Sequence, residues 1–88
     1  MFRLWVKEWK NNHMLCDTTI CDGSADTRTH KVFRALETAC YELDPGKPIW
    51  LDSNVEEFRR HAKARFYQDS FMEEIPFDYL EIQIIEED

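Results

Sequence analysis

The sequence predicts an α+β fold, in which an N-terminal β-hairpin and a C-terminal strand form an antiparallel sheet with two helices on one face. Three observations predict it. Residues 2–21 alternate apolar and polar side chains on either side of a short turn, residues 27–43 carry apolar side chains at helical spacing, and residues 77–86 alternate again. A chain of 88 residues has room for one core, so a single domain spans residues 1–88.

The hairpin joins a strand at residues 2–9 to a strand at residues 13–21. Asn11-Asn12 lies between them, and Asn tolerates the positive φ angles of a two-residue turn. Alternation directs one set of side chains toward the helices: Phe2, Leu4, Val6, Met14, Cys16, Thr18 and Ile20. The other set faces away from the helices: Arg3, Trp5, Lys7, Trp9, His13, Leu15, Asp17, Thr19 and Cys21.

Residues 27–43 form the central amphipathic helix. Asp26 or Thr27 caps its first turn through a side-chain oxygen, and Pro45-Gly46 ends it. The arc that we expect to meet the sheet comprises Thr29, Val32, Phe33, Leu36, Ala39, Cys40 and Leu43. The opposite arc, expected to face water, comprises Lys31, Arg34, Thr38 and Glu42.

The second half of the chain predicts another helix. The preceding piece, residues 49–51, is a brief strand or a loop. Ser53 and Glu56 have the spacing of a capping box, which starts a helix that runs to about Phe66. The apolar stripe of this helix comprises Val55, Phe58, Ala62 and Phe66. Residues 67–76 are then mostly loop.

The final strand spans residues 77–86 and pairs with the hairpin, because a two-stranded hairpin alone is barely stable. Leu80, Ile82 and Ile84 face the helices, whereas the residues that face away are Tyr79, Glu81, Gln83 and Ile85. The element order is therefore β, β, α, a short β segment or loop, α and β.

Composition narrows the function classes. The net charge of −7 argues against a general affinity for nucleic acid. No apolar run approaches the roughly 20 residues that span a bilayer, and the N-terminus lacks the apolar block of a signal peptide. The three cysteines are an odd number without a C-x-x-C pair, which fits a reducing compartment. We therefore expect a cytoplasmic protein that does not associate with membranes.

Signals for catalysis are weak, and we expect a non-catalytic protein. The three histidines lack partners at metal-ligand spacing, and two glycines cannot form a phosphate-binding loop, so no metal or cofactor is expected. An enzyme would use His30, which has Asp26 one turn back, or Cys21, the thiol with the least apolar surroundings. The alternative is that both are ordinary surface residues.

The strongest functional signal is the predicted sheet face that points away from the helices. Its aromatic and aliphatic residues are Trp5, Trp9, Leu15, Tyr79 and Ile85. Set among mixed charges, they have the composition of an interface centre with a polar rim. This face predicts contact with a protein partner or with a second copy of the chain. The alternative is that residues 67–76 fold over the face and cover it.

Charge clusters offer two further interpretations. An acidic C-terminal end that includes Glu81, Glu86, Glu87 and Asp88 predicts either a solvated terminus or an inhibitor that imitates nucleic acid in a basic groove. A basic cluster in the second helix, Arg59, Arg60, Lys63 and Arg65, predicts either an anion-binding patch or ion pairs with Glu56 and Glu57.

Four stretches cover nearly the whole chain: FRLWVKEWKNNHML, DTRTHKVFRALETACYELD, KPIWLDSNVEEFRRHAKARFYQD and FMEEIPFDYLEIQIIEED. They resemble a group of short uncharacterised proteins of Firmicutes. The resemblance implies a compact bacterial protein of the cytosol, and it assigns a role to no residue.

Overall fold

The strands and helices follow one another in the order β1, β2, α1, α2, β3, β4 in the computed structural model, which describes residues 1–43 and 46–87. Their bounds are β1 Phe2–Lys10, β2 His13–Asp22, α1 Arg28–Leu43, α2 Asp52–His61, β3 Lys63–Phe66 and β4 Tyr79–Glu86. The described strands form one antiparallel sheet in the order β2-β1-β4-β3. The predicted α+β class, the hairpin and its pairing with the final strand are confirmed.

The hairpin turn has the predicted backbone. Asn11 and Asn12 have φ angles of 52° and 64°, so a two-residue turn joins β1 to β2.

One detail of the predicted faces is wrong. The β1–β2 register shifts after the Glu8–Cys16 pair, so that Trp9 pairs with Met14. The extra residue in β2 is a bulge, which moves Met14 from the expected core face to the side of Trp9, where it is 44% exposed.

Helix α1 begins as predicted, because Thr27 Oγ1 accepts a hydrogen bond from the backbone N–H of His30 at 3.3 Å. Its last residue in the structure is Leu43, and Pro45, predicted to help end it, lies outside the described residues. The buried residues of α1 are Lys31, Val32, Ala35, Leu36, Ala39 and Cys40.

The buried face of α1 is therefore rotated relative to the predicted arc. Phe33 is 50% exposed, and Lys31, expected in water, is 6% exposed. The Lys31 ammonium group lies 5.9 Å from the centroid of the Phe2 ring, so its long methylene stem can cover apolar surface. Phe33 instead contacts Trp50 edge-on, with ring centroids 5.8 Å apart. A lysine stem thus takes the place at the sheet that the pattern assigned to an aromatic ring.

The predicted cap of the second helix is wrong. The cap residue of α2 is Leu51, whose backbone N–H donates to Asn54 Oδ1 at 3.0 Å. The Asn54 amide nitrogen donates to the backbone oxygen of Arg65 at 2.8 Å, and the Ser70 hydroxyl donates to Asn54 Oδ1 at 3.3 Å. One buried asparagine therefore fixes the helix start against the following strand, which a Ser–Glu capping box would not do.

The predicted end of the second helix is also wrong. Helix α2 stops at His61, Ala62 takes the left-handed conformation with φ 54°, and residues 63–66 form strand β3. Ala64 and Phe66, which belong to this strand, are both fully buried. By contrast, residues 49–51 form no strand, and the Ile49 backbone N–H donates to the oxygen of Ser70 at 2.7 Å. The extra strand of the sheet comes after α2 rather than before it.

The core lies between the sheet and the helices. Its buried members are Phe2, Leu4, Val6, Val32, Ala35, Leu36, Ala39, Cys40, Ala64, Phe66, Phe71, Phe77, Leu80 and Ile82. Residues 67–76 are mostly irregular, as predicted, with one 3₁₀ turn at Gln68–Ser70. Because Phe71 belongs to this core and Ile75 packs against it, most of the segment lies with the helices, and only Tyr67 at its start contacts the opposite sheet face, at Tyr79.

The left-handed residue between α2 and β3 yields a stability prediction. A Cβ atom in this conformation costs about 1 kcal/mol or more, so Ala62→Gly should raise the free energy of unfolding by about 0.5–1 kcal/mol. The check is the midpoint of urea denaturation. The same change at Ala35, in the middle of α1, should lower the midpoint, because glycine is unfavourable in a helix interior. A lower midpoint for Ala62→Gly would contradict the role assigned to this position.

Candidate interaction surface on the open sheet face

The sheet has one face toward the helices and one face away from them. We name the face away from the helices the open face, and its residues are given below by strand pairing. The strand pairings align its side chains in four rows, and the row farthest from the hairpin turn is Cys21, Arg3 and Glu86. The other three rows, each read from β2 toward β3, are Met14, Trp9 and Tyr79; Asp17, Lys7, Glu81 and Arg65; Thr19, Trp5, Gln83 and Lys63. In the described part of the chain, no helix is layered over this face.

One row, formed by Asp17, Lys7, Glu81 and Arg65, alternates in charge from one edge of the sheet to the other. Lys7 Nζ lies 2.9 Å from Glu81 Oε1, and Arg65 Nε lies 3.0 Å from Glu81 Oε2. Asp17 pairs with Lys7 in the strand register and accepts a hydrogen bond from Trp5 Nε1 at 2.8 Å. Read from β2 to β3, the row is negative, positive, negative, positive.

The two central charges of this row are almost completely buried. The side chains of Lys7 and Glu81 are each 6% exposed, although they lie on the side of the sheet without a helix. The Lys7 ammonium group lies 3.8 Å from the centroid of the Trp5 ring and donates to Gln83 Oε1 at 3.2 Å. Surrounding aromatic and polar side chains therefore provide the cover that a second layer normally provides.

Burial and ion pairing act in opposite directions on the Glu81 carboxyl. Burial alone would raise its pKa, but hydrogen bonds from Lys7 and Arg65 together with their charges outweigh burial and hold the pKa below its ordinary value. Glu81 therefore remains a carboxylate wherever the protein is folded near neutral pH.

The three predicted aromatic contact residues all lie on the open face and are half-buried. Trp9 and Tyr79 stack with ring centroids 6.4 Å apart and an interplanar angle of 26°. Tyr79 also lies 5.4 Å from the ring of Tyr67 and 4.9 Å from the Arg65 guanidinium group. Trp9 Nε1 is buried without an acceptor among residues 1–43 and 46–87. Trp9 and Tyr79 therefore form a packed aromatic layer, whereas Trp5 packs against Lys7, and all three residues are only partly exposed.

The two predicted aliphatic contact residues lie apart from this aromatic layer. Leu15 is the extra residue of β2 between the pairs Glu8–Cys16 and Trp9–Met14, and it is 51% exposed. Ile85 is the extra residue of β4 next to Arg3, and it is 47% exposed. Both occupy bulges at opposite ends of the sheet, so they extend the surface at its margins.

Sequence reasoning missed the contribution of Arg65 to this face. The residue was assigned to a helix, whereas β3 brings it beside Glu81 and Tyr79. A signal was present, because residues 63–66 alternate polar and apolar side chains, as a strand with one buried face does.

The other proposed chemistries receive little support from the geometry. The His30 side chain is 66% exposed, and its Nδ1 lies 3.0 Å from Asp26 Oδ1, which belongs to an exposed network with Arg34. Cys21 is exposed. A cavity lies between α1 and α2, and neither His30 nor Cys21 lines it. In the described ranges, no group of three or more His, Cys, Asp or Glu side chains is arranged to hold a metal ion.

Most of the carboxylates of the acidic end are engaged by cations. Glu81 binds Lys7 and Arg65, and Glu86 contacts the N-terminal amine at 3.2 Å and Arg3 at 3.1 Å. Glu87 contacts Arg28 at 3.0 Å. Asp88, the fourth residue of the predicted phosphate-like set, lies outside the described residues. Neutralised carboxylates are poor imitations of a phosphate strand.

A second buried carboxyl group lies on the opposite side of the sheet from Glu81. Glu8 is 7% exposed and faces the helices. Burial raises its pKa, and a hydrogen bond with the Cys16 thiol offsets only part of that rise. Burial also raises the pKa of the Cys16 and Cys40 thiols to about 11, with the Glu8 carboxylate contributing to both. These two thiols are therefore protonated at neutral pH and are weak nucleophiles.

No family model, curated protein or solved structure matches this chain. The resemblance to Firmicutes proteins thus stays a prediction. Among the described helices, none combines the length and apolar character needed to cross a membrane.

The Lys7–Glu81 ion pair should be strongly coupled. Lys7→Met leaves a buried carboxylate with only Arg65, so it should lower the free energy of unfolding by about 3 kcal/mol. The double change Lys7→Met/Glu81→Met should cost clearly less than the sum of the two single changes. Urea denaturation of all four proteins of this double-mutant cycle is the measurement. Additive losses would show that the two charges do not interact across the strands.

The raised pKa of Glu8 predicts how stability depends on pH. A folded-state pKa above the unfolded value means that stabilisation by the protonated form is complete at low pH and is lost as the pH rises through the folded pKa. Glu8→Gln should therefore match the wild type below about pH 4 and become increasingly more stable than it above that pH. Denaturation midpoints across this range test the prediction. Glu37→Gln, at an exposed position, should shift little at any pH.

Proposed function

We propose that this chain is a small non-catalytic interaction protein, and that its open face binds a second copy of the chain. The observation that carries the proposal is the alternating charge of the row Asp17, Lys7, Glu81 and Arg65. We further propose that the protein acts in the cytoplasm, where a reducing environment keeps its three free cysteines as thiols.

The alternating row makes the open face complementary to itself. In a symmetric dimer, two sheets stack face to face around a two-fold axis that runs parallel to the strands. Such an axis brings Asp17 opposite Arg65 of the second copy, twice per dimer. Both groups have bonding capacity left, because a guanidinium has five N–H donors and a carboxylate accepts several hydrogen bonds. The same operation on a face of uniform charge would bring like charges together.

The aromatic row supports the same arrangement. The axis that matches the charges also brings Trp9 opposite Tyr79 of the second copy, because both lie in one row on neighbouring central strands. Trp9 and Tyr79 lie on the two central strands but in the row next to the hairpin turn, so their half-buried rings add apolar contact area at one end of the interface. The buried Lys7–Glu81 pair stays intact in this arrangement and needs no new partner.

The size of the open face sets the expected strength of the dimer. Four strands about 4.8 Å apart that average about eight residues, at about 3.3 Å per residue, cover roughly 500 Å². Two copies would then bury on the order of 1,000 Å², at the lower end for specific interfaces. We therefore expect a dimer that dissociates in the micromolar range rather than an obligate one.

Reversing the two outer charges provides the test. Asp17→Arg and Arg65→Asp should each be monomeric, because each places like charges opposite one another twice in the dimer. An equimolar mixture of the two variants should dimerise again, since one copy then supplies two positive groups and the other two negative groups. Sedimentation equilibrium between about 5 and 500 μM, a range that brackets a micromolar dissociation constant, measures all three samples.

A matched control separates this effect from net charge. Glu37→Arg changes the charge by the same amount as Asp17→Arg but lies on an exposed helix position, so it should leave the dimer unchanged. A wild-type chain that stays monomeric throughout the range excludes the second copy as the occupant of the face. Dimerisation of both single variants, or a mixture of the two folded variants that remains monomeric, excludes the proposed symmetry.

A further inference from the structure

A cleft of about 390 Å³ lies between α1 and α2, on the helix side of the sheet. Its walls are Val32, Phe33, Trp50, Val55 and Phe58, and its rim carries Arg28, Thr29 and Arg59. This interhelical cleft is separated from the open face by the sheet itself. Its volume falls in the lower part of the range of small-molecule sites, which run from about 300 to 1,000 Å³. A whole helix or strand of another protein would need a longer groove.

The aromatic walls of the cleft are held in place by one another. The Trp50 ring meets Phe33, Phe58 and Phe66 edge-on, with centroid distances of 5.8, 5.6 and 5.0 Å. Phe66 is fully buried in the core and anchors this group from below. Phe33 nevertheless remains 50% exposed, although it lies on the apolar side of α1. The cleft is therefore a preformed apolar site, which spares a ligand the cost of ordering its walls.

The rim of the cleft is positive in a protein whose net charge is −7. The Arg28 guanidinium lies 5.4 Å from the centroid of the Phe58 ring, and its Nε lies 3.0 Å from Glu87 Oε1. Arg59 has no ion-pair partner among residues 1–43 and 46–87, whereas the adjacent Arg60 pairs with Glu56 at 3.0 Å. A carboxylate of the chain itself thus already sits at hydrogen-bond distance from one rim arginine, and the other rim arginine is available.

We propose that the interhelical cleft binds a small monocarboxylate with an aromatic body. The ring of the ligand lies against Phe33, Trp50 and Phe58, and its carboxylate meets Arg59. At Arg28 the ligand carboxylate competes with that of Glu87 for the guanidinium. This site does not depend on the proposed dimer, since the two surfaces lie on opposite sides of the sheet.

Phenylpropionate and phenylpropanol are the probes, because they share an aromatic body and differ in charge. Titration of each into the full chain, followed by two-dimensional amide NMR, should move signals of Phe33, Trp50 and Phe58. For the acid we expect a dissociation constant on the order of 1 mM, which is typical of a ligand of this size. The alcohol should bind several-fold more weakly.

Two pairs of adjacent residues provide matched variants. Arg59→Gln should weaken phenylpropionate binding by about threefold to fivefold and leave the alcohol unchanged, as expected for an exposed ion pair. Arg60→Gln alters the net charge equally and should change neither ligand. Glu87→Gln frees Arg28 and should strengthen phenylpropionate binding by about twofold or more, whereas Glu86→Gln should have no effect.

The result that overturns the proposal is equally specific. Equal affinities for acid and alcohol would remove the role of the arginines. Equal effects of the two arginine variants would assign the preference to net charge. Signal changes centred outside the cleft, or no binding of phenylpropionate at about 10 mM, ten times the expected dissociation constant, would exclude the site itself.

Discussion

The open face depends on the ion pair between Lys7 and Glu81. Removing two charges from water costs several kcal/mol per ion, so such a pair persists only where neighbours satisfy it well. Here Gln83, Arg65 and the Trp5 ring do so. The pair also fixes the register of β1 on β4, because a one-residue slip would direct one of the two charges into the core. Because β1 is the first strand and β4 the last, this register joins the N-terminal and C-terminal parts of the sheet.

Local patterns predicted the hairpin, α1 and β4, because alternation and helical spacing are properties of contiguous residues. The α2–β3 junction was missed because Ala62 and Phe66 also fit a helical stripe, and only long-range pairing with β4 decides for a strand. The bulge at Leu15 left no mark in the alternation. Which residues share the open face was therefore largely predictable, but the burial of Lys7 and Glu81 was not, because it requires the β1–β4 register.

Net charge proved a poor guide to the surfaces of this protein. The acidic C-terminal end suggested a phosphate-like surface, yet Glu81, Glu86 and Glu87 each contact a cation brought from a distant part of the chain. Screening limits the reach of exposed charges to about 10 Å at moderate salt, so each surface responds to its own neighbours. A positive rim at the interhelical cleft and an alternating row on the open face are both compatible with the same total of −7.

Strand β3 connects the two proposed binding surfaces although it has only four residues. Because successive side chains of a strand point to opposite faces, Phe66 supports Trp50 behind the cleft while Arg65 binds Glu81 on the open face. Asn54 holds α2, a wall of the cleft, to the backbone oxygen of Arg65. A shift of β3 along β4 by one residue would therefore disturb both surfaces together, whereas substitutions of surface side chains on either face affect one surface alone.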